Sequence, residues 1–321
     1  MLVAGCARKE SGETTAAAGG RKVELRKVVF QTDWFPQAEH GGYYQALAKG
    51  FYREAGLDVE ILPGGPGAGI KLKTAKGEAD FGMLKSDDIM LAAHQGLPLV
   101  MVMASMQHDP QAILVHDSSP VRTLRDLDGR TVNAAPGMTW IRYVQKKYDI
   151  TFNLTPPNYG IGQFLANPDT IQQCIVTNEP FIAQQHGKKV RTIMLADSGY
   201  DCYPVVFCRR ELVRLAPEVV RAFVAASIRG WRDYLDGDPE PANAAILERN
   251  KHMTPELLRF SRSEMILRSL VHGDASKGED IGQLSLARLA EEMQTLVDLK
   301  VLEAPVAINA VATKEFLPAA R

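Results

Sequence analysis

Cysteine is scarce in this chain. Cys6, Cys174, Cys202 and Cys208 are the only four in 321 residues, and none shares a Cys-x-x-Cys spacing, which excludes a disulfide framework and a zinc ribbon. Cys202 and Cys208 flank one extended stretch that would hold them about 20 Å apart, far beyond disulfide reach. Apart from Cys6 they read as buried thiols. The seven histidines include no i, i+4 pair, so no metal site is expected. Net charge is nearly absent too: 37 Lys and Arg against 38 Asp and Glu leave −1. Such a chain lacks the cationic field that binding to nucleic acid requires, and no nucleic-acid partner is expected. Long apolar runs are missing as well. The strongest, residues 97–106, is about half of the ~20 residues a membrane-spanning helix needs.

What remains is an ordinary globular composition, 45% hydrophobic and 23% charged, in a chain long enough for two lobes. At the N-terminus Leu2-Val3-Ala4-Gly5-Cys6 precedes a polar, Gly- and Ala-rich stretch over residues 7–20. This resembles a bacterial lipoprotein box and its tether, although the charged and apolar regions that precede such a box are missing. The resemblance implies acylation at Cys6 and a lipid anchor, with residues 1–26 as a flexible leader.

From Lys27 onward β and α patterns alternate. Strand signals fall at residues 27–32, 58–62, 80–83, 99–105 and 111–116, with helical spacing over 43–55 and 70–76 and from about Asp87. A second set follows: a helix ending at Gly129, a strand over 131–134, a helix opened by Pro136-Gly137-Met138-Thr139-Trp140, and strands over 171–177, 190–195 and 204–208. Alternation of this kind specifies an α/β protein with largely parallel sheets. From Pro217 onward the chain reads as amphipathic helix that returns to cover the first lobe. The boundaries expected are residues 27–113 with 213–321 for lobe I and 114–212 for lobe II. A cleft between the lobes, at the carboxyl ends of the strands, is where such folds bind ligands.

Several strings together resemble the periplasmic binding proteins of ABC importers for sulfonates and thiamine-pyrimidine precursors. They are Asp33-Trp34-Phe35-Pro36 with His40, residues 49–59 (KGFYREAGLDV), Gly77-Glu78-Ala79-Asp80-Phe81-Gly82, and Leu127-Asp128-Gly129-Arg130-Thr131-Val132. The first string and Thr177-Asn178-Glu179-Pro180 are closer to the formylaminopyrimidine-binding and pyrimidine-synthase branch than to the sulfonate branch. The resemblance implies a two-lobed type II periplasmic-binding-protein fold with a central ligand cleft. It also implies an extracytoplasmic, monomeric receptor that closes on a small heteroaromatic solute, such as a formylaminopyrimidine or hydroxymethylpyrimidine, and hands it to an ABC permease and ATPase. Neither a cofactor nor a catalytic residue is expected. The alternatives are a sulfonate- or riboflavin-type binding protein, a sensor domain, or a pyrimidine phosphate synthase that consumes pyridoxal phosphate. The synthase pattern has a lysine after the third strand, a histidine four residues later and a cysteine cluster. Here Lys85 stands near the lysine position, Ile89 occupies the histidine's place, and the cluster is reduced to Cys202.

The candidate ligand-binding residues are Asp33, Trp34, His40, Tyr43, Lys85, Ser86, Trp140, Asn178 and Glu179. Trp34 is a stacking platform for a flat ring or an interior tryptophan. His40 gives or takes one hydrogen bond from a ring nitrogen or caps a helix. Gly41 and Gly42 let a ligand approach the backbone, and Tyr43 contacts it or merely packs. Trp140, ahead of Tyr159 and Tyr200, supplies the opposite aromatic face or is core. Lys85 and Ser86 reach polar substituents. Glu179, next to Asn178, accepts N–H bonds from an aminopyrimidine edge and repels a sulfonate, or only complements a helix dipole.

Overall fold

The computed structural model describes Met1 and residues 24–319, so Cys6 and the tether lie outside the described residues. Ten strands run in chain order: β1 (Arg26–Gln31), β2 (Leu57–Leu62), β3 (Phe81–Lys85), β4 (Leu99–Ala104), β5 (Gln111–His116), β6 (Thr131–Asn133), β7 (Asn153–Thr155), β8 (Ile171–Ile175), β9 (Val190–Met194) and β10 (Pro204–Arg209). They form two five-stranded sheets, ordered β2-β1-β3-β10-β4 and β7-β6-β8-β5-β9. In each sheet the parallel strands are joined by one antiparallel insert, β10 in the first and β5 in the second. The chain therefore passes between the sheets twice, through residues 105–110 and 195–203.

This topology places two strands differently from the sequence expectation. The stretch 204–208, expected in lobe II, is β10 and pairs with β3 and β4 in the first sheet. Residues 111–113, expected in lobe I, open β5 in the second sheet. The reason is physical. Both strands are almost wholly buried, and a strand apolar on both faces fits the middle of either sheet equally well. The edge strand β2, by contrast, alternates buried and exposed residues.

The helical span expected over 43–55 is two helices, Gly41–Ala48 and Phe51–Glu54, divided at Gly50 by its φ of 76°. A left-handed residue ends a helix at little cost only when it lacks a Cβ. The long helix Pro217–Asp236 packs across Gly41–Ala48. A Cβ on Gly42 would lie 2.2 Å from Trp231 Cγ, one on Gly41 2.2 Å from Tyr234 Cε1, and one on Gly230 2.1 Å from the Gly42 carbonyl oxygen. Gly41 and Gly42 thus serve the helix crossing, not the approach of a ligand. The helix Leu286–Asp298 buries Leu289, Met293 and Leu296 against Leu99, Met101, Val205 and Phe207 of the first sheet. Among the described residues no helix is long and apolar enough to cross a membrane.

Gly42→Ala forces a methyl group into the Trp231 ring, and such overpacking costs about 1–3 kcal/mol. Urea denaturation should show a lower midpoint at unchanged slope. Wild-type stability in the variant would mean that the two helices do not approach this closely.

Candidate functional site

The loop after β1 is built from its own backbone. Thr32 Oγ1 donates to the Trp34 carbonyl at 2.9 Å, while Gly64 N and Gly65 N donate to the carbonyls of Trp34 and Asp33, both at 3.0 Å. A Cβ on Gly64 would meet the Thr32 carbonyl oxygen at 2.1 Å, so this glycine allows the two loops to lie together. The brace presents Trp34 half-buried with Phe35 beside it, ring centroids 5.6 Å apart.

Across from Trp34 stands Tyr159, 5.5 Å away between centroids and tilted by 47°. Tyr159 follows β7 in the second sheet's lobe, is largely exposed, and holds a φ of 56°. A side chain held in the left-handed region marks a position set by its surroundings. Trp140, ranked first for this role on sequence, is core instead: it is 2% exposed and stacks on Phe152. Its helix, Thr139–Tyr148, turns Trp140, Ile141 and Val144 inward, and the apolar stripe carries the indole with it. Tyr200 is also interior, its hydroxyl donating to Asp87 Oδ2 at 2.7 Å.

A polar group adjoins Trp34. His40 is fully buried with its Nε2 2.7 Å from Asp33 Oδ1, and its Nδ1 has no partner. With Nε2–H donating to the carboxylate, Nδ1 is left as a free acceptor. Beside it Glu39, which the sequence reading missed, is buried and accepts a hydrogen bond from Thr177 Oγ1 of the opposite lobe. Ser261 Oγ donates to the Thr177 carbonyl at 2.6 Å, so the turn after β8 is gripped twice. That turn carries Asn178, whose Oδ1 is buried and unpartnered, and Glu179, whose Oε2 accepts Ile175 N at 2.9 Å. Burial raises the Glu39 carboxyl above its ordinary pKa and pushes Glu179 up to about 7, where the neighbouring Glu39 charge adds to the effect. The only sequence signal for Glu39 was its place beside His40.

Asp33, Trp34, His40, Asn178 and Glu179 are therefore brought to one interlobe contact, joined through Asp33–His40 and Glu39–Thr177. Four other candidates are not. Tyr43 is fully buried, packs on Phe30 and Trp231, and donates to Ser105 Oγ at 2.7 Å. Lys85 is paired with buried Asp109 in the first crossover. Ser86 Oγ donates to Glu292 at 2.7 Å and accepts from Tyr203 N. Trp140 lies in the second core. Sequence position after a strand did not distinguish residues facing the cleft from residues facing the crossovers.

At this place the lobes touch through Trp34–Tyr159 and Glu39–Thr177. Cavities of about 670 Å³, lined among others by Arg26, Arg209 and Leu215, and about 490 Å³, lined among others by Gln107, Tyr203 and Arg288, lie elsewhere. Asp87, Cys202 and Glu292 place potential metal-ligating atoms within 4.8 Å of one another. They come from three separate elements, so spacing in sequence could not show them. Their carboxyl groups are already served by Tyr200 and Ser86, and burial, reinforced by Asp87, pushes Glu292 up to about 8.

A carboxyl group whose pKa is higher in the folded protein than in the unfolded chain stabilises the fold fully below the unfolded value. That contribution is lost as pH rises through the folded one. For Glu179 the window runs from 4.5 to about 7. Calorimetry should give Glu179→Gln and wild type equal melting temperatures near the lower end, with the variant gaining until about pH 7. Parallel curves would place Glu179 in water.

A family model described as NMT1/THI5 like matches residues 37–242. The riboflavin-binding protein RibY of Chloroflexus aurantiacus is 26% identical over 339 aligned positions, covering 95% of this chain and 90% of that protein. The formylaminopyrimidine-binding protein of Halalkalibacterium halodurans is 24% identical, covering 76% and 77%. The 4-amino-5-hydroxymethyl-2-methylpyrimidine phosphate synthase THI11 of Saccharomyces cerevisiae is also 24% identical, covering 68% and 73%. Among solved structures, the periplasmic aliphatic sulphonate binding protein SsuA of Escherichia coli superposes with a TM-score of 0.67 at 13% identity, covering 93% and 95%. That likeness shows the two-lobed periplasmic-binding-protein fold, and with the family model matching well over half of its length, the chain belongs to the NMT1/THI5 like family.

Proposed function

We propose that this protein is an extracytoplasmic receptor of an ABC importer. It closes its lobes on a flat, nitrogen-containing heteroaromatic solute, a thiamine-pyrimidine precursor such as a formylaminopyrimidine or hydroxymethylpyrimidine. The observation that carries the reading is the pair Trp34 and Tyr159, one ring from each lobe, with centroids 5.5 Å apart. Closure around a ring sandwiched there buries both of its faces, and stacking adds about 0.5–1.5 kcal/mol beyond the area buried. Micromolar affinity needs roughly 8 kcal/mol, which for about ten heavy atoms approaches the efficiency limit and demands enclosure by both lobes. Glu179 accepts N–H donors and disfavours a sulfonate. Relatives called a riboflavin-binding protein and a formylaminopyrimidine-binding protein support the class. An acylated Cys6 would tether such a receptor to the membrane, with the permease and ATPase as its partners.

One feature favours a larger ring as the second ligand. A third aromatic ring, the exposed Phe35, stands edge-on to Trp34 at 5.6 Å beside the Trp34–Tyr159 pair and widens the aromatic surface available to a ligand. The synthase reading has less support. The Lys85 amine is committed to Asp109, and Ile89, at the position of the donor histidine, is packed in the core.

A thermal-shift panel of aminopyrimidines, riboflavin and taurine should show stabilisation by one of the heteroaromatics. Trp34→Ala should weaken that ligand by at least about tenfold. Stabilisation by taurine alone would overturn the reading. An absorbance band of a pyridoxal phosphate imine that disappears in Lys85→Ala would replace it with the synthase.

A further inference from the structure

Glu39 has no place in the reading above, yet it is the most completely desolvated acid at the lobe contact. It sits on the short turn Ala38–His40 of the first lobe, 6% exposed, and receives the hydroxyl of Thr177 from the second. Two residues after Thr177 comes Glu179, so closing the lobes brings a carboxyl group from each side into one dry region.

Among the described residues the groups facing this region offer no Lys or Arg that pairs with either acid, and of the remaining groups only the imidazole of His40 acts as a cation to lower the Glu39 carboxyl's pKa. His40, on the same turn, is held by Asp33. From the helix Pro217–Asp236 comes Tyr234, whose hydroxyl points to Asn243. The helix Pro255–Leu267 contributes Ser261, while its Arg262 is turned to the carbonyls of Tyr234 and Leu235. Arg268, just beyond that helix, is paired with Glu264 at 2.7 Å. Below Glu179 lies the buried thiol of Cys174. Among the described residues no Lys or Arg forms an ion pair with Glu39 or Glu179. Two ionised carboxylates enclosed without a counter-charge are strongly unfavourable. The Oδ1 of Asn178 adds a buried, unpartnered acceptor, and the unpartnered Nδ1 of His40 accepts or donates according to the tautomer of its ring.

Resting on the receptor reading and deepening it, we propose that Glu39 is a specificity-determining residue. With Glu179 it forms a carboxyl pair across the lobes that closes on a ligand edge bringing N–H donors or a proton, and not on an edge that is anionic or offers only acceptors. A cationic edge brings that proton itself; for a neutral edge solvent supplies it as the lobes shut, and the N–H donors of the ligand fill the remaining acceptors. Opening the lobes separates the two acids and removes the requirement. Burial raises both acids, in agreement with this.

Two measurements test it, and one needs no ligand. Small-angle scattering of the ligand-free protein should show the radius of gyration falling as pH drops from about 8 to about 6, because protonation favours the closed pair. Glu39→Gln, which keeps an acceptor for Thr177, should remove most of that change while melting as cooperatively as wild type. Isothermal titration with 4-amino-2-methylpyrimidine, in phosphate and in Tris, should show proton uptake near pH 8. The affinity should weaken by up to about tenfold per pH unit above pH 7, and Glu39→Gln should flatten that profile. The isosteric 4-methoxy-2-methylpyrimidine, which has no N–H, should bind at least about tenfold more weakly. A radius insensitive to pH in wild type, or a pH response identical in Glu39→Gln, overturns the carboxyl pair. Equal binding of the amino and methoxy probes overturns the edge rule. If the scattering responds as stated while neither pyrimidine nor riboflavin binds, the pair stands and the heteroaromatic reading falls.

Discussion

Both passages of the chain between the lobes converge on Asp201, and the rest of the architecture depends on that convergence. Its Oδ1 accepts the Asp109 N–H at 2.8 Å, and its Oδ2 lies 2.7 Å from His108 Nδ1 and 3.1 Å from Arg288 Nη2. Asp109 in turn holds Lys85 at the end of β3, while Arg288 reaches the Gln107 carbonyl at 2.7 Å and covers the Tyr203 ring. The two crossovers are thus tied to each other and to the helix Leu286–Asp298. Since β5 and β10 each follow a crossover directly, this network governs how each sheet receives its antiparallel strand. Breaking one member of such a network strands the other's charge in a poorly solvated place, which is why paired crossovers persist. It also explains where Lys85 and Ser86 went. Both are spent on the junction between lobes and are not offered to a solute.

The candidate site is the complement of that junction. Behind it, charges are paired and the backbone is clasped. In front, the lobes meet through an aromatic contact and through acids that pair with no Lys or Arg among the described residues. An aromatic pair spanning two bodies is worth most when a third ring enters between them and removes both faces from water. Carboxyl groups in the same region then decide which edge that ring presents. Shape selection and edge selection come from different residues, and both need closure to operate.

Much of the fold could be read in the residues. The β-branched residues of β1 and β9, the alternation in β2, and the prolines opening the late helices all mark local preferences that the tertiary structure keeps. The break at Gly50 and the membership of β5 and β10 could not be read in this way. The first depends on a single left-handed residue, and the second on a strand whose two faces are equally apolar. At the site, Asp33, Trp34, His40, Asn178 and Glu179 were visible because they follow strands and carry unusual chemistry. Tyr43 and Trp140 carry similar chemistry and are core, because their helices turn them inward. Glu39 was passed over and Tyr159 was ranked behind Trp140, since nothing in their neighbourhoods sets them apart until the lobes are brought together.

The sequence by itself determined an α/β chain in two parts, with no disulfide spacing among its cysteines and without the charge needed for nucleic acid, with its polar and aromatic candidates at the carboxyl ends of strands. These follow from composition and short-range periodicity, which act within a few residues. Only the tertiary structure decided which aromatic faces Trp34, that Gly41 and Gly42 serve a helix crossing, and that acids from opposite lobes share one dry contact. Desolvation and close packing are set by neighbours distant in the chain, and no local pattern encodes them.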